Sequence, residues 1–244
     1  MKKFTKSQSI LITIVLFLSM TMQSSCSYAF KGIKGDGDVI KNQREISSFN
    51  GIDVGGAFKV FLTQGSIEKL EVEADANLMD VIKTEVKGGT LYISTKEDIR
   101  EYEALNIYLN FKEIDEMEIS GACEVTGEGK FTFSDLEMDC SGASTVELKL
   151  SANTMELDCS GASNMTLYGS VQKVEMDVSG ASHFDAYDLE VENYEIEVSG
   201  AASAKIFVSG ELSAEVSGAA HLKYKGDARI IHHDVSGAAS MKKY

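Results

Sequence analysis

The chain has 244 residues, of which 43% are hydrophobic, and its net charge at pH 7 is −15. This length and apolar fraction exclude an intrinsically disordered chain and allow one or two folded domains. The negative charge repels nucleic acid and anionic lipid headgroups, so we expect no nucleic-acid partner. Proline is absent, which favours a body made of paired strands, because proline cannot donate to a strand ladder.

The first 29 residues predict an export signal. Three lysines precede an apolar run at 10–22, and small residues follow it, which is the three-part pattern of a secretory signal. Export would place the mature chain in the periplasm, in the outer membrane or at the cell surface. Its removal takes away three positive charges and no acid, which leaves a net charge of −18.

Two processing routes fit this signal. Ser27-Tyr28-Ala29 offers small residues at the positions that a general signal peptidase reads, and the mature chain would then begin at Phe30. Alternatively, Ser24-Ser25-Cys26 resembles a lipoprotein box, although Gln23 stands where an aliphatic residue is usual. In that route Cys26 is the lipidated residue, and this lipid is the only membrane attachment that we expect.

Residues 30–119 are predicted to be rich in strands but irregular. Residues 51–58 read as a degenerate form of the repeat described below, so we expect the repeats to begin there. A cap residue and helical spacing at 75–82 predict a short helix. Gly88-Gly89 separates two alternating segments, which predicts a hairpin.

From residue 120 onward a Ser-Gly-Ala unit recurs every 18 to 21 residues. In the central repeats, positions −5, −3 and −1 from the serine are apolar, position −2 is Asp or Glu, and positions +5 and +7 are again apolar. Because side chains alternate between the two faces of a strand, the apolar positions face a core, and the acid and the serine face outward. The serines of the unit are Ser120, Ser141, Ser160, Ser179, Ser199, Ser217 and Ser236.

A period near 20 with the same residue type at the same phase indicates a solenoid. We predict an all-β fold, a parallel β-helix with about 19–20 residues per coil, whose strands stack about 4.8 Å apart. Each coil would have two strands and a third, looser side of five to seven residues. We assign one β-helix domain to 30–244, with irregular coils at 30–119 and regular coils at 120–244. A separate β lobe at 30–119 also fits the sequence.

Three stretches together resemble a known family. They are Phe49-Asn50-Gly51-Ile52-Asp53-Val54-Gly55-Gly56-Ala57-Phe58-Lys59-Val60-Phe61-Leu62-Thr63-Gln64-Gly65, then Glu85-Val86-Lys87-Gly88-Gly89-Thr90-Leu91, and then the Ser-Gly-Ala repeats. The chain from about Asp36 onward resembles the head GIN domain family of putative auto-transporter adhesins. This resemblance implies an exported, right-handed β-helical protein of Gram-negative envelopes. It brings no catalytic residues with it.

The stacked acids at position −2 are the sharpest candidate for a cation site. At about 4.8 Å, neighbouring carboxylates repel by about 0.9 kcal/mol per pair even in water. Calcium held between coils would relieve this repulsion; otherwise the acids point into solvent, or accept hydrogen bonds from the serine hydroxyls and corner amides. We expect no cofactor apart from this calcium alternative, whose candidate ligands are Asp139, Asp158, Asp177 and Glu197.

Cys140 and Cys159 occupy the same inward position in successive coils. Their expected separation would permit a disulfide, but parallel strands in register aim both side chains the same way. We therefore expect buried free thiols stacked on each other. Cys123 lies at a different phase, and we expect it to be unpaired.

His183 and His221 share the outward position +4, and Asp185 lies near His183 on the same face. A histidine beside a carboxylate is a candidate acid–base pair. No basic cluster accompanies them, so we expect surface residues. Asp185 should instead pair with Lys205 of the next coil.

The sequence predicts a non-enzymatic, exported envelope protein, an adhesin or interaction module that presents flat faces to an unknown protein or glycan. One alternative is a polysaccharide-processing enzyme, but the regular coils lack long insertions and hold a single arginine, Arg229, after residue 120. A second alternative is a structural homo-oligomer joined through the last coil, since nothing after Met241 reads as a cap. In that coil either Lys242 and Lys243 blunt the open strand edge or a second subunit covers it.

Overall fold

The computed structural model describes residues 32–244. In this part of the chain the secondary structure is β-strand, apart from a single turn of 3-10 helix, and no helix is long and apolar enough to cross a membrane. The first elements are β1 (Ile33–Lys34), β2 (Val39–Arg44), β3 (Gly51–Gly56), β4 (Lys59–Gln64), β5 (Lys69–Asp75), the 3-10 helix (Ala76–Leu78), β6 (Ile82–Lys87), β7 (Thr90–Thr95), β8 (Ile99–Glu101) and β9 (Leu105–Phe111).

The remaining strands pair in parallel with strands of neighbouring coils. They are β10 (Glu116–Gly121), β11 (Glu124–Glu128), β12 (Phe131–Thr132), β13 (Asp135–Cys140), β14 (Thr145–Cys159), β15 (Asn164–Val178), β16 (His183–Val198), β17 (Ser203–Val216), β18 (His221–Lys225), β19 (Arg229–Val235) and β20 (Ser240–Lys243). Together they confirm the predicted β-solenoid, which has about seven turns.

The first part of the chain joins this solenoid directly. Strand β3 pairs in parallel with β10, with Asp53 beside Glu118 and Gly56 beside Gly121, so the repeats do begin at the degenerate unit. Strand β4 pairs in the same way with β11. The predicted hairpin is also confirmed, because β6 and β7 pair antiparallel around Gly88 and Gly89. The predicted short helix is only the 3-10 turn after β5.

Antiparallel pairing distinguishes the N-terminal end from the regular coils. Strand β5 lies between β2 and β9 and pairs antiparallel with both. This reversal closes the first coil with a folded-back strand, which protects backbone groups that a parallel edge would leave unpaired.

The predicted inward phase of the regular coils is correct. Positions −5, −3 and −1 of the second regular coil, Leu136, Met138 and Cys140, are at most 2% exposed, and Val146 and Leu148 after the corner are each 1% exposed. Full burial of such side chains contributes about 1.5–3 kcal/mol each. Stacked phenylalanines fill the third side near the N-terminal end, namely Phe111, Phe131 and Phe133.

The third side is more regular than the prediction of a looser segment. Strands β14 to β17 each run from the second strand of one coil through the third side into the first strand of the next. Ser151, for example, pairs with Ser170 in the next coil. The prediction of a looser third side was wrong because backbone hydrogen bonds between coils need no alternating side-chain pattern. Strands therefore form there although the sequence does not alternate.

Hydrogen bonds made by residues of the repeat hold the corner that follows each first strand. The alanine N–H donates to the glycine carbonyl of the coil before, as Ala162 does to Gly142 at 2.8 Å. In three of the coils, a buried serine hydroxyl at position +3 also donates to the carbonyl oxygen at position 0 of the same coil. These pairs are Ser144 with Ser141, Ser163 with Ser160 and Ser182 with Ser179.

Candidate functional site

The outward side of each first strand carries acid. The strands lie in register, so Asp139, Asp158, Asp177 and Glu197 are successive neighbours along the solenoid. The structure therefore brings all four predicted candidate ligands into one row.

A second acidic row lies beside the first, and the sequence reading missed it. Position −4 is glutamate in five consecutive regular coils, at the same spacing as the acids of position −2. This recurrence of glutamate is the sequence signal from which the second row could have been predicted. We call the two rows the acidic face: Asp53, Glu116, Glu118, Glu137, Asp139, Glu156, Asp158, Glu175, Asp177, Glu195, Glu197, Glu215 and Asp234.

Few positive charges balance the acidic face. In residues 32–244, its salt bridges are Lys173 to Glu175 at 3.8 Å and His232 to Glu215 at 3.6 Å. The corner amides donate to backbone carbonyls of the preceding coil, and no corner serine hydroxyl in this range donates to a carboxylate of the face. Of the two alternatives to calcium, the one in which serines and corner amides bind these acids was therefore wrong.

Partial burial and the crowding of like charges together raise the pKa of several acids on this face. Partial burial, then the charge of Asp158, raises the pKa of Asp139. Partial burial, then the charges of Asp158 and Glu175, raises the pKa of Asp177. For Glu197 the charge of Asp177 comes first and burial second, and the pKa is again raised. The charged face therefore opposes folding at neutral pH.

We expect Asp177→Asn to stabilise the protein at pH 7 by about 0.5–1 kcal/mol, because it removes repulsion from the two neighbouring coils. A carboxyl with a raised pKa favours the native state at low pH and loses that effect as pH rises through its native pKa. The gain over wild type should therefore fall as pH drops to about 4. Urea unfolding at both pH values measures it, and Asp80→Asn, in an exposed turn, is the control. A loss of stability at pH 7 would contradict this origin of the raised pKa.

The calcium alternative stays a prediction. Within residues 32–244, no three His, Cys, Asp or Glu side chains lie close enough together to hold a metal ion. Thermal unfolding with EDTA and with millimolar calcium tests it, through a calcium-dependent rise in Tm that Asp177→Asn removes. The predicted lipidation site, Cys26, and the predicted export signal lie outside the described residues.

The cysteines form stacked free thiols, as expected. Cys140 and Cys159 are register partners, and both are buried and unbridged. Their mutual hydrogen bond and then burial raise the pKa of the Cys140 thiol far above its ordinary value. Cys123 is also free, and its Sγ lies 3.4 Å from the Ser120 carbonyl oxygen, in the place that the buried serine holds in later coils.

The histidines do not form an acid–base pair with Asp185. His183 Nδ1 lies 2.6 Å from Ser203 Oγ, whereas Asp185 binds Lys205 Nζ at 2.7 Å, as predicted. His221 repeats the first arrangement with Ser240 at 2.8 Å. Both histidines are exposed. They belong to an outward polar row of the second strand.

A shallow groove of about 450 Å³ runs along the third side. Its carboxylates, Glu190 and Glu192, are exposed and lie two residues apart on β16. No lysine, arginine or histidine lines this groove. The other lining residues are mostly small or polar: Thr132, Phe133, Ser151, Ala152, Asn153, Ser170, Val171, Gln172 and Ser209.

Solved structures with this fold come from several bacteria. A putative adhesin from Bacteroides fragilis superposes with a TM-score of 0.83 at 22% identity, over 87% of this chain and 100% of that one. A putative lipid binding protein from Parabacteroides distasonis has a TM-score of 0.74 at 22% identity, over 88% and 100%. A putative adhesin from Parabacteroides merdae has a TM-score of 0.68 at 19% identity, over 87% and 99%.

Among curated proteins, none matches the sequence significantly. The family model described as putative auto-transporter adhesin, head GIN domain, matches residues 48–228. That range includes the degenerate first unit, the hairpin and six of the seven Ser-Gly-Ala units. The chain therefore belongs to the head GIN domain family of putative auto-transporter adhesins.

Proposed function

We propose that this protein is a non-enzymatic, exported envelope protein that acts as an adhesin or interaction module. The observation that carries the proposal is its membership of a family described as adhesins, over residues 48–228. The architecture supports it, because a solenoid whose coils are hydrogen-bonded in register presents long faces of ordered side chains. Binding to a glycan or protein on such a face loses little conformational entropy, since the backbone is already fixed.

The groove is a poor active site for a polysaccharide-processing enzyme. A glycosidase needs a pair of carboxyl groups on opposite sides of the scissile bond, one of them held protonated. Glu190 and Glu192 lie on one strand, and both are open to solvent. A polysaccharide lyase needs a positively charged group beside the substrate carboxylate, and no lysine, arginine or histidine lines the groove.

The proposed location follows from the first 29 residues, whose lysines and apolar run fit an export signal. The protein would lie in the periplasm, in the outer membrane or at the surface, with Cys26 as its lipid anchor if the lipoprotein route is used. The groove on the third side is a poor site for lipid binding. Eight of the eleven residues that line the groove carry hydroxyl, amide or carboxylate side chains, which suit an acyl chain poorly.

The proposal is tested with the mature chain, residues 30–244, immobilised and exposed to glycan arrays and to bacterial and host surface fractions. We expect saturable binding to a surface component and no release of sugar fragments from polysaccharides. Heat-unfolded protein is the control for non-specific adsorption. Release of fragments, or no binding by the native protein, would contradict the proposal. Light scattering of the same sample measures its mass and tests the predicted association through the last coil.

A further inference from the structure

The second strand of each coil bears a row of charges that changes sign along the solenoid. At position +6, Asp185 is the register partner of Lys205, which is followed by Lys223 and then Lys242 in the next coils. Asp185 neutralises Lys205 at 2.7 Å. Lys223 and Lys242 have no carboxylate within 4.0 Å among residues 32–244. Two unbalanced ammonium groups therefore stand one strand spacing apart, in a protein whose net charge is −15.

Aromatic rings lie beside Lys205 and beside Lys225, which follows Lys223 by two residues on the same strand and pairs with Asp188. The ring centroids of Tyr187 and Tyr244 are 5.7 Å apart, and Tyr244 is 86% exposed. Lys225 Nζ lies 5.4 Å from the centroid of Tyr187 and 5.1 Å from that of Phe207. We call this surface the basic-aromatic patch: Tyr187, Lys205, Phe207, Lys223, Lys225, Lys242 and Tyr244.

The patch also contains a polar group without a partner. The hydroxyl of Tyr187 is buried and makes no hydrogen bond within the described residues. An unsatisfied buried hydroxyl costs about 1–3 kcal/mol. Tyr244 packs against this ring. A ligand that displaced the exposed Tyr244 side chain would place one of the ligand's own hydroxyl groups within hydrogen-bond distance of the Tyr187 hydroxyl.

The charge of the whole protein limits what the patch can attract. The acidic face repels extended polyanions, as it does nucleic acid and anionic membranes. Screening over about 8 Å at physiological ionic strength still lets two lysines attract one small anion locally. Aromatic faces pack well against the C–H faces of a sugar ring, and they lose little entropy on binding. Lysines and tyrosines together thus favour a sugar that carries an isolated carboxylate.

We infer that the basic-aromatic patch binds carboxylated saccharides, such as uronic acid units of a surface glycan. The carboxylate lies between Lys223 and Lys242, and the sugar ring packs on Tyr244. This inference rests on the proposed binding role and adds to it a site and a ligand class.

The test measures binding of a trisaccharide with one terminal uronate to the mature chain by calorimetry, against the same trisaccharide with that carboxylate methyl-esterified. Esterification keeps the sugar rings and removes the charge, so we expect at least a tenfold weaker affinity. Lys223→Met with Lys242→Met should cost about tenfold and Tyr244→Ser at least threefold. Lys149→Met is the control, since Lys149 lies exposed on the same side of the second strand beside Tyr168, several coils away.

Equal binding of acid and ester, or full binding by the double lysine variant, would overturn the inference. So would equally tight binding of inorganic phosphate, or of phosphatidylserine vesicles through the same lysines, because the patch would then recognise any anion or a lipid headgroup. A wild-type protein that binds other array components but no uronate refutes this site and leaves the adhesin proposal standing. Binding to nothing on the arrays refutes both.

Discussion

Gly161→Ala should lower the free energy of unfolding by about 3–5 kcal/mol, a loss at the upper end for single substitutions. Gly161 has φ +78, which alone costs a non-glycine residue about 1–2 kcal/mol. A Cβ at this position would also lie 2.4 Å from the carbonyl oxygen of Gly142 in the coil before. That oxygen accepts the hydrogen bond from Ala162, so it cannot move without opening the contact between two coils.

Gly88→Ala separates the two causes. Gly88 has φ +61, but a Cβ there would meet no atom within 4 Å. We expect a loss of only about 1 kcal/mol for this hairpin variant. Urea unfolding followed by far-UV circular dichroism measures both variants against wild type. Equal losses would show that backbone conformation, and not the stacking of corners, explains the recurring glycine.

The same geometry predicts a gradient along the solenoid. The distance from the added Cβ to the preceding glycine oxygen is 2.2 Å at Gly142, 2.6 Å at Gly200 and 2.8 Å at Gly237. Alanine should therefore be tolerated better toward the C-terminal coils. The measurement is the same unfolding experiment on these three variants, and a reversed order would contradict it.

The regular coils could be predicted because two sequence periods occur together there: the two-residue alternation along each strand and the repeat of about 20 residues. Alternation along each strand identified the inward residues, and the repeat near 20 aligned Asp158 with Asp177. The glutamates at position −4 recur in five consecutive coils and carry the same signal, so the second acidic row could have been predicted as well. The buried hydroxyls at position +3, such as that of Ser163, could not be assigned from polarity, since a serine beside a turn is usually exposed.

The basic-aromatic patch was harder to predict for a different reason. Coil length varies, and the structure absorbs the difference in irregular pairings on the second strand, between Thr166 and Tyr168 and between Ala186 and Glu190. A residue such as Tyr187, inside such an irregularity, has no fixed phase relative to the serine. At the N-terminal end, the antiparallel pairing of β5 with β2 and β9 was not predicted, because it depends on contacts distant in sequence.

One buried carboxylate holds that N-terminal end together. Asp75 is 0% exposed, and it accepts hydrogen bonds from the backbone N–H groups of Gly37 at 2.6 Å, Glu103 at 2.9 Å and Ala104 at 3.3 Å. These donors belong to the segments before β2 and before β9, so one side chain joins both to the end of β5. Hydrogen bonds to charged groups contribute about 1.5–3 kcal/mol each.

We expect Asp75→Asn to destabilise the protein by about 2–3 kcal/mol at pH 7, because the amide nitrogen would face N–H donors and leave them unsatisfied. Burial alone would raise the pKa of Asp75, but the hydrogen bonds from Glu103, Gly37 and Ala104 outweigh it, and the pKa is lowered.

The sign of this pH effect is opposite to that of the acidic face. A lowered native pKa contributes stability above the unfolded pKa of about 3.9, and that stability is lost as pH falls through the native pKa. The gap between wild type and Asp75→Asn should therefore be full at pH 7 and shrink below pH of about 4. Urea unfolding at several pH values measures the gap, with Asp38→Asn, an exposed neighbour, as the control. If the difference in free energy of unfolding between wild type and Asp75→Asn stayed constant down to that acidic range, the charge of Asp75 would contribute nothing to stability. Packing alone would then hold the three segments together.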